Sequence, residues 1–132
     1  MSEAPCFCTS LRKASRRLSA VYDEALEPFG VNVAQFSLLR NIDRHGPVSL
    51  TALGDILELD RSTLGRNVRV LGRRGMVQLA ESTDKREASV MLSASGRRTL
   101  EAALPAWRAA QTRINAKLGD GAGQLQALLG TL

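Results

Sequence analysis

Arg66, Arg69 and Arg73 recur at helical spacing in the stretch "DRSTLGRNVRVLGRRG", from Asp60 to Gly75. With Leu64 as origin and about 100° per residue, Val68 and Leu71 fall within about 40° of it. Ser62, Arg66, Arg69 and Arg73 fall within about 40° of the opposite pole. One side of such a helix can seat in a core while the other offers three guanidinium groups to solvent. A hairpin pattern follows, with Lys85 and Arg86 at its tip. A basic helix beside a basic hairpin suits a nucleic-acid duplex: the helix enters the major groove and the hairpin reaches phosphates or the minor groove. Arg61 and Asn67 complete the candidate contact set on that helix. Arg74 falls on its flank, as a phosphate or structural contact.

The other reactive side chains are sparse. Cys6 and Cys8, in "CFC", are the only cysteines, and His45 is the only histidine. Two thiolates cannot complete a tetrahedral zinc site, but four from a pair of chains can. A disulfide within so short a pair is strained, which favours an intermolecular or reversible bond. Arg12 and Lys13 and a nearby helix start can lower a thiol pKa. The pair is therefore a possible sensor, whose metal, if any, is unknown. His45 reads as a turn residue, so no Ser–His–Asp or Cys–His arrangement supports an enzyme. "GDGAG" from Gly119 lacks a preceding strand and a following Lys–Ser/Thr, and reads as a helix break rather than a phosphate loop.

These residues need elements to position them. Leu11, Leu18, Val21, Tyr22, Ala25 and Leu26 predict a first helix from Thr9 to about Glu27, ended by Pro28 and Gly30. Asn32 and Gln35 form a capping-box pattern before Phe36, Leu39 and Ile42. "RHGP" is a turn, and Val48 a very short strand. Ser49 caps a third helix with Leu50, Leu53, Ile56 and Leu57 inward. Asp60 caps the basic helix, and Gly75 ends it as a left-handed C-terminal cap. Met76 to Glu81 and Ala88 to Leu92 alternate as strands around a tip from Ser82 to Glu87. Ser93 caps a long helix to about Leu118, with Leu100, Leu104, Trp107, Ile114 and Leu118 on one stripe and a kink expected at Pro105. Gln124 to Leu129 form a short last helix.

The chain has 132 residues, 44% hydrophobic and 23% charged, with a net charge of +5. That fits one soluble domain with a core and an anionic partner. Between Asp60 and Arg86 seven basic residues face only Asp60, Glu81 and Asp84. Another basic group, Arg12, Lys13, Arg16 and Arg17, reads as a solvated face. No apolar run approaches the roughly 18 residues of a membrane span, and no secretion signal opens the chain, so a cytoplasmic location is expected. The first and last helices carry apolar stripes that the central unit cannot cover, which predicts a two-fold dimer.

Order and motifs together resemble the multiple antibiotic resistance regulator (MarR) family of winged helix-turn-helix proteins. The resemblance rests on "LTALGDILELDRSTLGRNVRVLGRRGMV", Leu50 to Val77, and "DKREASVMLSASG", Asp84 to Gly96. The second is similar to the family's wing signature: an Asp, an Arg two residues on, an apolar strand, then small residues opening a helix. The resemblance implies a mainly α fold with a small β-hairpin wing. A DNA-binding lobe over about 32–93 would sit between dimerisation helices at about 9–30 and 94–132, as one domain. It implies a homodimer on a pseudo-palindromic operator of double-stranded DNA. Ser62, Thr63 and Arg66 match groove-facing positions, Arg86 the wing arginine near the minor groove, and Asp84 the acid that braces it. Such proteins usually repress, with no resident cofactor, and release DNA on binding a small-molecule effector or on cysteine oxidation. The short C-terminal helix departs from the common pattern. The other reading is a metal-binding or thiol-reactive protein that uses Cys6 and Cys8 without DNA.

Overall fold

The structure is a computed structural model that describes residues 3–81 and 88–132. Helix α1 (Phe7–Leu26) leads through a 3-10 turn (Glu27–Phe29) to α2 (Val33–His45). The central lobe continues with β1 (Val48–Ser49), α3 (Leu50–Leu57), α4 (Arg61–Arg73), β2 (Val77–Glu81) and β3 (Ala88–Leu92). Helices α5 (Ala94–Leu118) and α6 (Gly121–Leu129) complete a mainly helical, winged helix-turn-helix chain. The expected wing tip, 82–87, lies outside the described residues, and with it Asp84, Lys85 and Arg86.

Local chemistry starts the helices where the spacing predicts. The Asn32 side chain accepts from the Gln35 amide at 2.8 Å, and the Gln35 side chain accepts from the Asn32 amide at 3.0 Å. Ser49 and Ser93 cap α3 and α5 by accepting from the Ala52 and Gly96 amides, both at 3.0 Å. Each such bond satisfies a backbone donor that the helix leaves free. Helix α1 instead begins at Phe7, earlier than Thr9, with Cys6 in extended backbone before it. The stripe carried no sign of this start because Phe7 is exposed. Helix α6 likewise starts at Gly121 rather than Gln124, and α5 runs as one helix through Pro105.

The two-residue strand β1 pairs with β3, so the sheet order is β1-β3-β2 and β3 is central. Val48 opposes Val90, and Leu79 opposes Val90 from the other side. Val90 is consequently buried between two neighbours. Leu26, Phe36, Leu39, Ile42, Leu53, Leu64 and Leu71 join it in one core that spans α1 to α5 and the sheet. Each fully buried aliphatic or aromatic side chain of this kind contributes roughly 1.5–3 kcal/mol.

One inward assignment is corrected. Ile56 is 44% exposed, while Leu53 is buried and Leu50 and Leu57 pack against the core from partial cover. An eight-residue helix offers a narrow contact face. Leu53 and Leu57, one turn apart, fill it, and Ile56 falls on its rim.

Candidate nucleic-acid interface

Helix α4 is anchored along one side and open along the other. Leu64, Val68 and Leu71 are buried. Arg61, Ser62, Arg66, Arg69 and Arg73 are exposed, and Thr63 and Asn67 are half-buried on the flanks. The steps from Ser62 to Arg66, Arg69 and Arg73 are four, three and four residues. A helix keeps such positions on one face, so the guanidinium groups form a continuous stripe.

Both ends of α4 are fastened. At its start, Asp60 accepts from the Thr63 amide at 2.9 Å, and the Ser62 hydroxyl lies 3.4 Å from its other oxygen. At its end, Gly75 turns left-handed (φ +73°). The Met76 amide then reaches the Leu71 carbonyl at 2.9 Å and the Gly75 amide the Gly72 carbonyl at 3.0 Å. That pair of bonds closes the last turn, and glycine adopts the required angle without the strain a Cβ would bring. Ahead of α4, Glu58 takes a left-handed conformation (φ 52°) that sets the corner between α3 and α4. A polar stripe is thereby held on a helix that has little freedom to roll.

The Asp60 cap also predicts a dependence on acid. The hydrogen bonds from Thr63, then that from Ser62 and the charge of Arg66, hold its carboxyl below the ordinary value of 3.8. A depressed folded pKa contributes stability that is complete above the unfolded value and is lost as pH falls through the folded one. Asp60→Asn keeps a capping acceptor but has no proton to gain. We expect urea midpoints of this variant to match wild type at neutral pH and to fall less steeply below about 3.8. Parallel acid limbs would contradict the assignment.

Arg74 is not part of the stripe. Its guanidinium donates to the Gly30 carbonyl, tying the end of α4 to the turn after α1. Of the two flank roles expected for it, this is the structural one.

Cys6 and Cys8 are both exposed. Cys6 precedes α1 and Cys8 lies in its first turn. No full capping bond forms, yet the Thr9 amide, the Thr9 hydroxyl and the Cys8 amide face the Cys6 sulfur and lower its pKa from 9.0. Donors at a helix start favour the thiolate. His45 is exposed at the end of α2. Among the described residues, no three His, Cys, Asp or Glu side chains converge as a metal site. No described helix is long and apolar enough to cross a membrane.

A sequence model described as the MarR family matches residues 29–87. Over the whole chain, the M. tuberculosis transcriptional regulator MosR, solved in complex with DNA, is similar at 33% identity. That match covers 96% of this chain and 92% of MosR, with a TM-score of 0.89. The chain belongs to the MarR family. The transcriptional repressor CouR, solved on a 23-mer DNA duplex, is 25% identical, with 98% of both chains covered and a TM-score of 0.87. An uncharacterized HTH-type transcriptional regulator of Bacillus subtilis, YwoH, is 29% identical over 91 residues. Those residues are 69% of this chain and 66%, just under two thirds, of YwoH.

The chain is thus a transcriptional regulator of MarR type, and its α4 occupies the second-helix position of the family's helix-turn-helix. Other contacts in this MarR-family chain were not signalled by spacing. Arg97 pairs with Asp43 at 2.7 Å and so joins α5 to α2. Tyr22 donates to Gln111, joining α1 to α5. Trp107 stacks near Phe36 and Tyr22, with ring centres at 5.7 and 6.3 Å, and the Arg40 guanidinium lies 4.4 Å from its ring centre. An open cleft of about 540 Å³ lies where α1, the 3-10 turn and α2 meet; Asp23, Glu24, Glu27, Gln35 and Arg74 are among its lining residues. It lies between a terminal helix and the central lobe.

Proposed function

We propose that this MarR-type regulator binds double-stranded DNA as a homodimer at a pseudo-palindromic operator, represses from that site, and is released by a signal. The observation that carries the DNA reading is the exposed Ser62–Arg66–Arg69–Arg73 stripe on a helix buried along its opposite side. The DNA-bound structures of MosR and CouR support it, and the repressor CouR supports the sign of the regulation. The dimer is supported by exposed apolar side chains on the terminal helices: Phe7, Leu11 and Leu18 on α1, Leu118 on α5, and Leu128 and Leu129 on α6. A monomer would leave these wet.

The test is selection of bound duplexes from a random pool, followed by titration of the winning site across salt concentrations. We expect an inverted repeat whose half-sites lie about 34 Å apart, one turn of B-DNA. Log affinity should fall linearly with log salt, as released counterions require. Sedimentation should give a dimer at micromolar concentration. No enriched duplex, or a monomer, would overturn the proposal and leave the thiol-reactive reading.

The release signal is read from Cys6 and Cys8. Peroxide can oxidise two thiols to a disulfide, itself reduced to water, and zinc or arsenite can bind them as thiolates. Either change at the start of α1 would alter how terminal helices pack, and coupling of about 1–3 kcal/mol suffices to shift operator occupancy. The double Cys6→Ser, Cys8→Ser variant should stay on its operator under peroxide, Zn²⁺ and arsenite while wild type releases. Identical responses would remove the thiols as the sensor and direct the search to small aromatic acids.

A further inference from the structure

We infer that Arg40, Arg44 and Arg108 form a binding site for the phosphate group of a small phosphorylated ligand. Arg40 and Arg44 are one turn apart on α2, and so share a face. Arg108 follows Trp107 on α5, against whose ring Arg40 rests. Arg40 is half-buried, whereas Arg44 and Arg108 are exposed. Burial, then the charges of Arg44 and Arg108, lower the pKa of Arg40. Among the described residues no carboxylate lies within ion-pair distance of any of them; the Asp43 carboxylate on the same helix is paired with Arg97.

Three like charges around a half-buried position repel one another. The Trp107 π face offsets part of that repulsion. It leaves the guanidinium N–H groups of Arg40, Arg44 and Arg108 without protein acceptors among the described residues. Such planar donor forks match phosphate oxygens in pairs, and a doubly charged phosphate offsets more of the local charge than one carboxylate does. Trp107 has Arg40 over its ring and Phe36 and Tyr22 stacked beside it, so the site favours an oxyanion over an added aromatic ring. The open cleft at the end of α1 has the opposite character, because Asp23, Glu24 and Glu27 line it.

DNA phosphates are the less suitable occupant. Helix α4 packs on α3 and β2, whereas Arg40 faces α5, which packs on α1 and α2. The cluster bridges the central lobe and a terminal helix, so an anion drawing Arg40 off Trp107 would change the contact between them. That regulatory consequence rests on the reading above; the binding does not.

Trp107 is the sole tryptophan, so its fluorescence reports this contact directly. Full-length protein without DNA would be titrated with inorganic pyrophosphate, benzoate and chloride at matched ionic strength. We expect a saturable change with pyrophosphate alone, and at least about tenfold weaker binding in Arg44→Gln, Arg108→Gln, which keeps Arg40 on Trp107. Arg44→Lys and Arg108→Lys, which retain charge, should each weaken pyrophosphate binding and leave the chloride response unchanged. A pyrophosphate response equal to that of chloride, equal to that of benzoate, or undiminished in these variants would overturn the site. So would a reduced salt slope of operator binding in Arg44→Gln, Arg108→Gln, which would make the arginines DNA contacts. Failure to bind any DNA would leave the fluorescence result readable.

Discussion

Gly96→Ala is expected to destabilise the protein by about 3 kcal/mol and lower Tm by roughly 10 °C. Gly96 is buried in the first turn of α5. A Cβ there would collide with the Met76 carbonyl oxygen and lie 2.9 Å from its carbon. The obstacle is backbone, so no rotamer change relieves it. Met76 cannot shift alone either. Its carbonyl accepts from the Ser93 amide at 3.0 Å, and its amide closes the end of α4 on Leu71. Ser93 adds a hydroxyl bond to the Gly75 carbonyl at 2.6 Å. The end of α4, the start of β2 and the start of α5 therefore meet at one crowded point.

The sign of the effect makes this prediction sharp. In an open helix position, alanine is better than glycine by up to about 1 kcal/mol. Gly65, on α4, has open space for 4 Å around the point where a Cβ would stand, and serves as the control. Urea unfolding at equal protomer concentration should show Gly65→Ala stabilising and Gly96→Ala destabilising. A stabilised Gly96→Ala would mean that α5 does not dock on Met76 at this distance.

Arg66→Ala is expected to produce the largest loss of operator affinity. A bidentate arginine contact to a base edge is worth about 1–3 kcal/mol of discrimination. A homodimer carries the change in both half-sites, so the loss is about 2–6 kcal/mol, or roughly thirtyfold to twenty-thousandfold. Arg66 is exposed and has no carboxylate within ion-pair distance among the described residues, so Tm should barely move. Arg66→Lys should recover the charge and the non-specific affinity but little of the sequence preference, since an ammonium lacks the planar fork. Titrations against the selected operator and a scrambled duplex separate the roles. Equal losses on both duplexes would make Arg66 a phosphate contact rather than a base reader.

The amphipathic face of α4 was legible in the chain because a helix repeats every few residues, and burial follows from period alone once a core exists. Leu64, Val68 and Leu71 went inward, and Ser62, Arg66, Arg69 and Arg73 stayed out. The capping residues Asn32, Ser49, Asp60 and Ser93 were legible for the same reason: each acts on an amide three residues away. Gly75 signalled its left-handed turn because few other residues adopt one cheaply. The resemblance to the MarR family lay in these same local segments.

What the sequence by itself determined, then, is what neighbours within about a helical turn or a strand pair set: element order, the capped starts of α2 to α5, and the basic stripe. Tertiary structure alone decided the partners that lie far apart along the chain. Arg74 took the structural one of its two flank roles because the Gly30 carbonyl came within reach of its guanidinium. Ile56 fell on the rim because Leu53 and Leu57 fill the narrow face that α3 turns to the core. Arg40 met Trp107, and Gly96 met Met76, only when α5 folded back across α2 and the sheet. The physical reason is that periodicity specifies which side of an element is apolar, whereas packing specifies which atoms that side touches.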